Sequence, residues 1–214
     1  MSTHLNKSRS ITVIDLFAGP GGLGEGFNAL TVNGKRPFKV KLSIERDEQA
    51  WKTLKLRHFY HQFPINKVPE EYFQLARKEI EFNDIKKMFP KEIFYTEKAT
   101  RMPFELGKDP EHIVYDWIEE ALPKGVHKKW VLIGGPPCQA YSLIGRNRMK
   151  NDSFRNFEQD ERHFLYKEYL RIIHKFKPPI FIMEIPGPIK FSPGSVEKKH
   201  RSLSFSCSAT KLIL

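Results

Sequence analysis

Short apolar runs closed by glycine, proline or a single carboxylate recur along the chain and alternate with segments of helical period. Ile11-Thr-Val-Ile-Asp-Leu-Phe17 is β-rich and ends at glycines, which predicts a buried parallel strand. Ala18-Gly-Pro-Gly-Gly-Leu-Gly24 predicts the turn after it, with a helix over 25–30. Phe38-Lys-Val-Lys-Leu-Ser-Ile44 alternates as a second strand ending at Glu45, and Asp47 then caps a helix through Trp51, Leu54 and Leu56. His112-Ile-Val-Tyr115 predicts a weak third strand, with a short helix from Asp116, and residues 130–134 predict a fourth. Leu165, Tyr169, Ile172, Ile173 and Phe176 share one face of a helix over 161–176, which Lys177-Pro-Pro179 stops. Residues 180–184 predict a fifth strand that ends on Glu184. Strands alternating with helices imply a doubly wound parallel sheet with right-handed crossovers.

Two stretches lie outside this rhythm. Residues 58–110 are polar and aromatic, with helices expected near 70–80 and 84–89, and read as an insertion between strands. After Pro186 the chain is rich in serine and basic residues with no clear period, which predicts a poorly packed tail over 187–214. The expected organisation is a flexible start over 1–10, one α/β domain over 11–186, and that tail.

Composition narrows the class. A chain of 214 residues, 40% hydrophobic and 13% aromatic, supports one folded α/β domain rather than a disordered chain. No apolar run is long enough for a membrane span, and the first ten residues lack the apolar stretch of a secretory signal. Two cysteines, Cys138 and Cys207, argue for a reducing cytoplasm and against a disulfide scaffold or a cysteine-built metal site. Lys plus Arg outnumber Asp plus Glu by 36 to 25, a net +11 that favours a polyanionic partner such as nucleic acid.

The chemistry concentrates at predicted strand ends, where open α/β sheets present their reactive groups. Gly135-Pro-Pro-Cys-Gln139 turns sharply after an apolar strand and leaves the Cys138 thiol at the strand's carboxyl end. A thiolate there is a nucleophile. Glu184 ends another strand and can supply a proton beside it, while no histidine stands in a comparable loop for a Cys-His hydrolase. Gly19, Gly21 and Gly24 meet the Gly-x-Gly-x-x-Gly spacing, which by itself allows a nicotinamide dinucleotide or a tight structural turn. Glu45, at the tip of the second strand, is placed to accept from ribose hydroxyls.

Taken together, these motifs resemble the C5-cytosine DNA methyltransferases. Asp15-Leu-Phe-Ala-Gly-Pro-Gly-Gly22 resembles the family's cofactor loop, and Gly135-Pro-Pro-Cys-Gln-Ala-Tyr-Ser142 its catalytic loop. Asp160-Glu-Arg-His-Phe-Leu-Tyr166 and Phe181-Ile-Met-Glu184 resemble the segments that follow, in family order. The resemblance implies a Rossmann-like S-adenosylmethionine-dependent methyltransferase fold, incomplete at its C-terminus. It implies S-adenosylmethionine contacts from Phe17, Ala18, Gly19, Gly22, Pro137 and Leu165, with Glu45 on the ribose. Arg46 falls where the family often has an apolar residue against the adenine, and Asp116 at the distance expected for the residue that holds the adenine amine. Asp84 is a rival by local sequence but stands too far before Cys138. The implied reaction flips a cytosine out of DNA, adds Cys138 to its C6 and protonates N3 from Glu184. Gln139, Ser142, Arg146 and Arg148 are the implied DNA contacts, the two arginines reading equally as solvated loop charge.

The pattern departs from the family in two places. Ile185-Pro186 stands where the family has Asn-Val, and the expected arginine-bearing strand, target-recognition domain and closing helix are absent after residue 190. A truncated or split enzyme, complemented by a second chain, is therefore one expectation. An inactive DNA- or cofactor-binding remnant is another, and a nicotinamide-dependent oxidoreductase, carried by the glycines alone, a third. A cytoplasmic, nucleoid-associated protein of a restriction–modification system, without metal or membrane, completes the expectation.

Overall fold

Burial on both faces accounts for the largely apolar character of β1 (Ile11–Leu16) and β3 (Trp130–Gly134), which lie side by side at the middle of one sheet. The structure, a computed structural model, describes residues 10–122, 129–137, 165–184 and 211–213. The sheet order is β2 (Phe38–Ile44), β1, β3, β4 (Ile180–Met183) and β5 (Lys211–Ile213). The first four are parallel, and β5 runs antiparallel against β4. This is a mixed α/β, Rossmann-like architecture. Part of the stretch expected to be a poorly packed tail, residues 211–213, thus forms the sheet's last strand.

Two apolar layers enclose the sheet. One face packs Val13, Val40, Val131 and Ile133 against Leu23 and Phe27 of α1 (Gly22–Ala29). The other packs Ile14, Leu16, Leu42 and Leu132 against α6 (Glu111–Ala121) and α7 (Leu165–Phe176). Tyr169 of α7 is fully buried there, and its hydroxyl donates to the Ile182 carbonyl at 2.9 Å.

Residues 111–121 correct the sequence reading. They are helical throughout, so the weak strand expected over 112–115 does not exist. Val114, Ile118 and Leu122, all buried, recur at a spacing of four, a helical period that outweighs the short β-rich triplet inside it. The glycine turn is also tighter than expected. α1 begins at Gly22, with Gly21 at its N-cap and φ 90°, a left-handed angle that favours glycine.

Asp47 caps α2 (Glu48–Tyr60) by accepting from the Ala50 N–H at 2.8 Å. Beyond it come α3 (Glu70–Ala76), α4 (Phe82–Met88) and α5 (Pro90–Thr100). Phe59, Ile85 and Ile93 form a small core of their own in this region. The expected 84–89 helix sits two residues earlier, and α5 was not anticipated.

Candidate active site

Four strand ends meet at one side of the sheet. The β1 chain leaves its strand through Phe17, held at φ 56° in the left-handed region, and Gly19 at φ 55°. The Ala18 N–H donates to the Ile44 carbonyl at 3.0 Å, so the loop is tied to the end of β2. Glu45 completes the tie: its carboxylate accepts from the Gly19 N–H at 2.7 Å and from the Asp47 N–H at 2.8 Å. On the other side of β1, the Glu184 N–H donates to the Gly134 carbonyl at 2.8 Å.

A cavity of about 200 Å³ opens among these ends, walled by Phe17, Gly19, Ile44, Glu45, Gly135 and Pro137. Arg46, Phe104, Glu105, Leu106 and Leu165 close its far side. Six residues expected at the cofactor thus converge here: Phe17, Gly19, Glu45, Arg46, Pro137 and Leu165. Ala18 and Gly22 do not line the cavity; they shape the loop behind it. Asp116 does not reach it either. It stands on the exposed side of α6, since the chain there is a helix rather than a strand with a functional tip. Cys138, Gln139, Ser142, Arg146 and Arg148 lie outside the described residues, but Pro137, the neighbour of Cys138, is part of the wall. Glu184 is exposed, and a Cβ built on Gly135 would come within 3.8 Å of its carboxylate, so it stands over the start of the Cys138 loop.

Phe104, Glu105 and Leu106 are the residues sequence reasoning missed. The Phe104 N–H donates to the Glu45 carbonyl at 2.8 Å, which carries this segment past the end of β2. Phe104 and Leu106 are buried at 2% and 4% exposure, leaving Glu105 between them at the cavity wall. That period-two alternation, bounded by Pro103 and Gly107, was a legible strand-like signal. Arg46 reaches across to Glu105 at 2.6 Å. Burial alone would raise the Glu105 carboxyl, but hydrogen bonds from Arg46 and Lys108 outweigh it and hold the group below its usual range.

The loop's hydrogen bonds bear on the dinucleotide alternative. A pyrophosphate on a helix N-terminus needs free loop N–H groups and a positive field. Here the Gly19 N–H is spent on a carboxylate and the Gly21 N–H on the Ala18 carbonyl at 2.9 Å. Glu25 adds negative charge to the first turn of α1. Two of the loop's donors are thus already taken.

The family model for C-5 cytosine-specific DNA methylase matches residues 11–88 and 111–185. The chain belongs to that family. Among individual relatives, it is 32% identical over 205 residues to the type II methyltransferase M.Bpa9945I of Bacillus paralicheniformis, covering 86% of this chain and 42% of the relative. It is 27% identical over 183 residues to the type II methyltransferase M.AquIA of Picosynechococcus, covering 85% and 51%. A third, M1.HphI of Haemophilus parahaemolyticus, is 26% identical over 184 residues, covering 86% and 34%. The chain spans about half or less of the length of these relatives. Among the described residues no cluster of His, Cys, Asp or Glu could hold a metal ion, and no helix is long and apolar enough to cross a membrane.

Proposed function

We propose that this chain is the cofactor-binding and nucleophile-bearing part of a DNA (cytosine-5-)-methyltransferase that uses S-adenosylmethionine. The observation that carries the reading is the cavity joining the β1 loop, the tip of β2 and Pro137, one residue from Cys138. Its walls fit the adenosyl group. A carboxylate has about four lone-pair sites, and Glu45 uses two on Gly19 and Asp47, which leaves capacity for ribose hydroxyls. Phe17, Ile44, Phe104 and Leu165 offer apolar surface, and Glu105 a second acceptor at the wall. When bound, S-adenosylmethionine supplies the electrophilic methyl group.

The protein's own residues do the rest. The Cys138 thiolate adds to C6 of a cytosine turned out of the duplex, while Glu184 gives a proton to N3. Electron density then rises at C5, which takes the methyl group. Loss of the C5 proton and cleavage of the sulfur–C6 bond restore the aromatic ring and free the cysteine. Gln139, Ser142, Arg146 and Arg148 would hold the DNA around the opened site. The type II methyltransferase relatives support a place in a restriction–modification system.

A second reading, a cofactor- or DNA-binding protein without turnover, is favoured by Ile185-Pro186. A proline at that point removes a backbone donor beside Glu184. The test is transfer of labelled methyl from S-adenosylmethionine to unmethylated DNA, beside Cys138→Ala and a calorimetric titration of the cofactor. Cys138-dependent label establishes the enzyme. Label that appears only after adding the C-terminal half of a relative assigns a split enzyme with a complementing chain. Cofactor binding without label under either condition establishes the second reading, and binding of neither S-adenosylmethionine nor DNA refutes both.

A further inference from the structure

Lysine on an edge strand is commonplace, because it blunts pairing with other chains while its ammonium stays in water. Lys39 and Lys41 are on the edge strand β2, yet neither is fully solvated. The ladder between β1 and β2 explains their direction. Val13 pairs with Val40 and Ile14 with Leu42, so Lys41 is the extra residue of a bulge and faces no partner on β1. Residues two apart on a strand share a face, which sets Lys41 beside Lys39, while the bulge turns Leu42 and Ile44 into the opposite apolar layer from Val40.

Both lysines line a second cavity, of about 190 Å³, which lies between β2, Gln62 and the ends of α5 and α6. Lys98 and Arg101 complete a basic lining whose one acid is Glu120. Glu120 is already committed, since it accepts from both Lys98 and Arg101. Lys39 has a single hydrogen bond, a long 3.4 Å contact to the Gln62 side chain, and Lys41 has none among the described residues. The Arg101 Nε is buried without a hydrogen-bond partner. Burial lowers the pKa of both lysines, and Lys41 and Arg36 lower Lys39 further. A cavity with partly desolvated cations and no spare carboxylate lacks its counter-charge.

We propose that this cavity is a binding site for a phosphate-class oxyanion, held by Lys39 and Lys41 with Arg101 at its rim. It is distinct from the cofactor cavity, which lies past the other end of β2, and it does not depend on the methyltransferase reading. The oxyanion can come from free phosphate or from a nucleic-acid backbone, which share the chemistry the lysines recognise.

The experiment is calorimetric titration of inorganic phosphate, with thermal unfolding in phosphate and in chloride of matched ionic strength. Parent, Lys41→Gln and Lys39→Gln/Lys41→Gln are compared. Phosphate should bind the parent, and its dissociation constant should rise roughly tenfold or more in Lys41→Gln. In chloride the variants should unfold at the same temperature as the parent or higher, because an uncompensated charge has gone. In phosphate that order should reverse. Displacement of phosphate by short duplex DNA assigns the site to a backbone phosphate; binding that duplex does not displace assigns it to the free ion. Equal phosphate response in parent and variants, or no response in any, overturns the proposal and leaves the lysines as edge protection.

Discussion

Asp15 is the most exacting test of the energetics around the cofactor loop. It lies in the central strand β1, 1% exposed, and neither carboxylate oxygen has a full hydrogen bond among the described residues. Burial pushes its pKa from 3.8 up to about 8; the Gly24 backbone pulls the other way, and the Glu45 and Glu184 carboxylates add to the rise. Between those pH values the unfolded chain has lost a proton that the folded chain keeps. Stability therefore falls as pH rises, by about 1.4 kcal/mol per pH unit. His58 acts in the opposite sense. It is buried against the Ser43 hydroxyl at 2.9 Å. Burial first, then His61 and Lys39, push its pKa from 6.5 down to about 3. The unfolded chain picks up that proton and the folded one does not, so this contribution grows with pH up to about 6.5. The two slopes oppose each other from about pH 4 to 6.5, and above that only Asp15 remains. The parent should lose about 2 kcal/mol between about pH 6.5 and 8. Asp15→Asn cannot titrate. Urea unfolding across this range should give a flat profile for the variant above about pH 6.5, and below it a steeper rise with pH than the parent shows. Parallel profiles for the two proteins would refute the buried acid.

A methyl group at Gly134 would lie 2.4 Å from the Leu16 carbonyl oxygen and 2.8 Å from the Tyr169 ring. Both neighbours are buried at the sheet's centre, so Gly134→Ala should lose about 3 kcal/mol in a denaturant melt, the upper end for overpacking; an unchanged midpoint would mean that β1 and β3 separate freely. Glu45→Gln leaves one acceptor oxygen where two N–H groups now share a carboxylate. S-adenosylmethionine affinity by calorimetry should fall by about 10- to 100-fold, in line with charge-assisted hydrogen bonds, whereas an unchanged affinity would remove Glu45 from the site.

β1, β3 and β4 were legible because they read as short, largely apolar runs with a glycine or carboxylate at the end. β2 falls where the alternation puts it, residue for residue, and the N-cap at Asp47 is as expected. The helix over 111–121 was not, because Ile113-Val114-Tyr115 has local β character while the apolar positions that decide it, Ile118 and Leu122, lie beyond a short window. Tertiary burial against the sheet overrides the triplet's propensity. β5 was missed for a related reason: a strand of three residues carries no period, and its pairing with β4 is visible only once the sheet exists.

The site divides along the same line. Residues joined to a strand end by one to three peptide bonds, such as Phe17, Glu45 and Pro137, could be placed from sequence, because the strand fixes where its end points. Glu105 could not, since nothing local says that its segment returns to the tip of β2 after an excursion through four helices. Its place depends on a long-range hydrogen bond, Phe104 to Glu45, and on the burial of Phe104 and Leu106 around it. The same distinction separates the two cavities. Motifs announced the first, whereas the second needs the ends of α5 and α6 brought against β2, which the pattern of Phe38-Lys-Val-Lys-Leu42 does not show; the bulge at Lys41 leaves no mark there either. Loss of that bulge would bring Lys41 into the β1–β2 ladder and turn Leu42 and Ile44 from the apolar layer. The burial of those two residues therefore fixes the bulge.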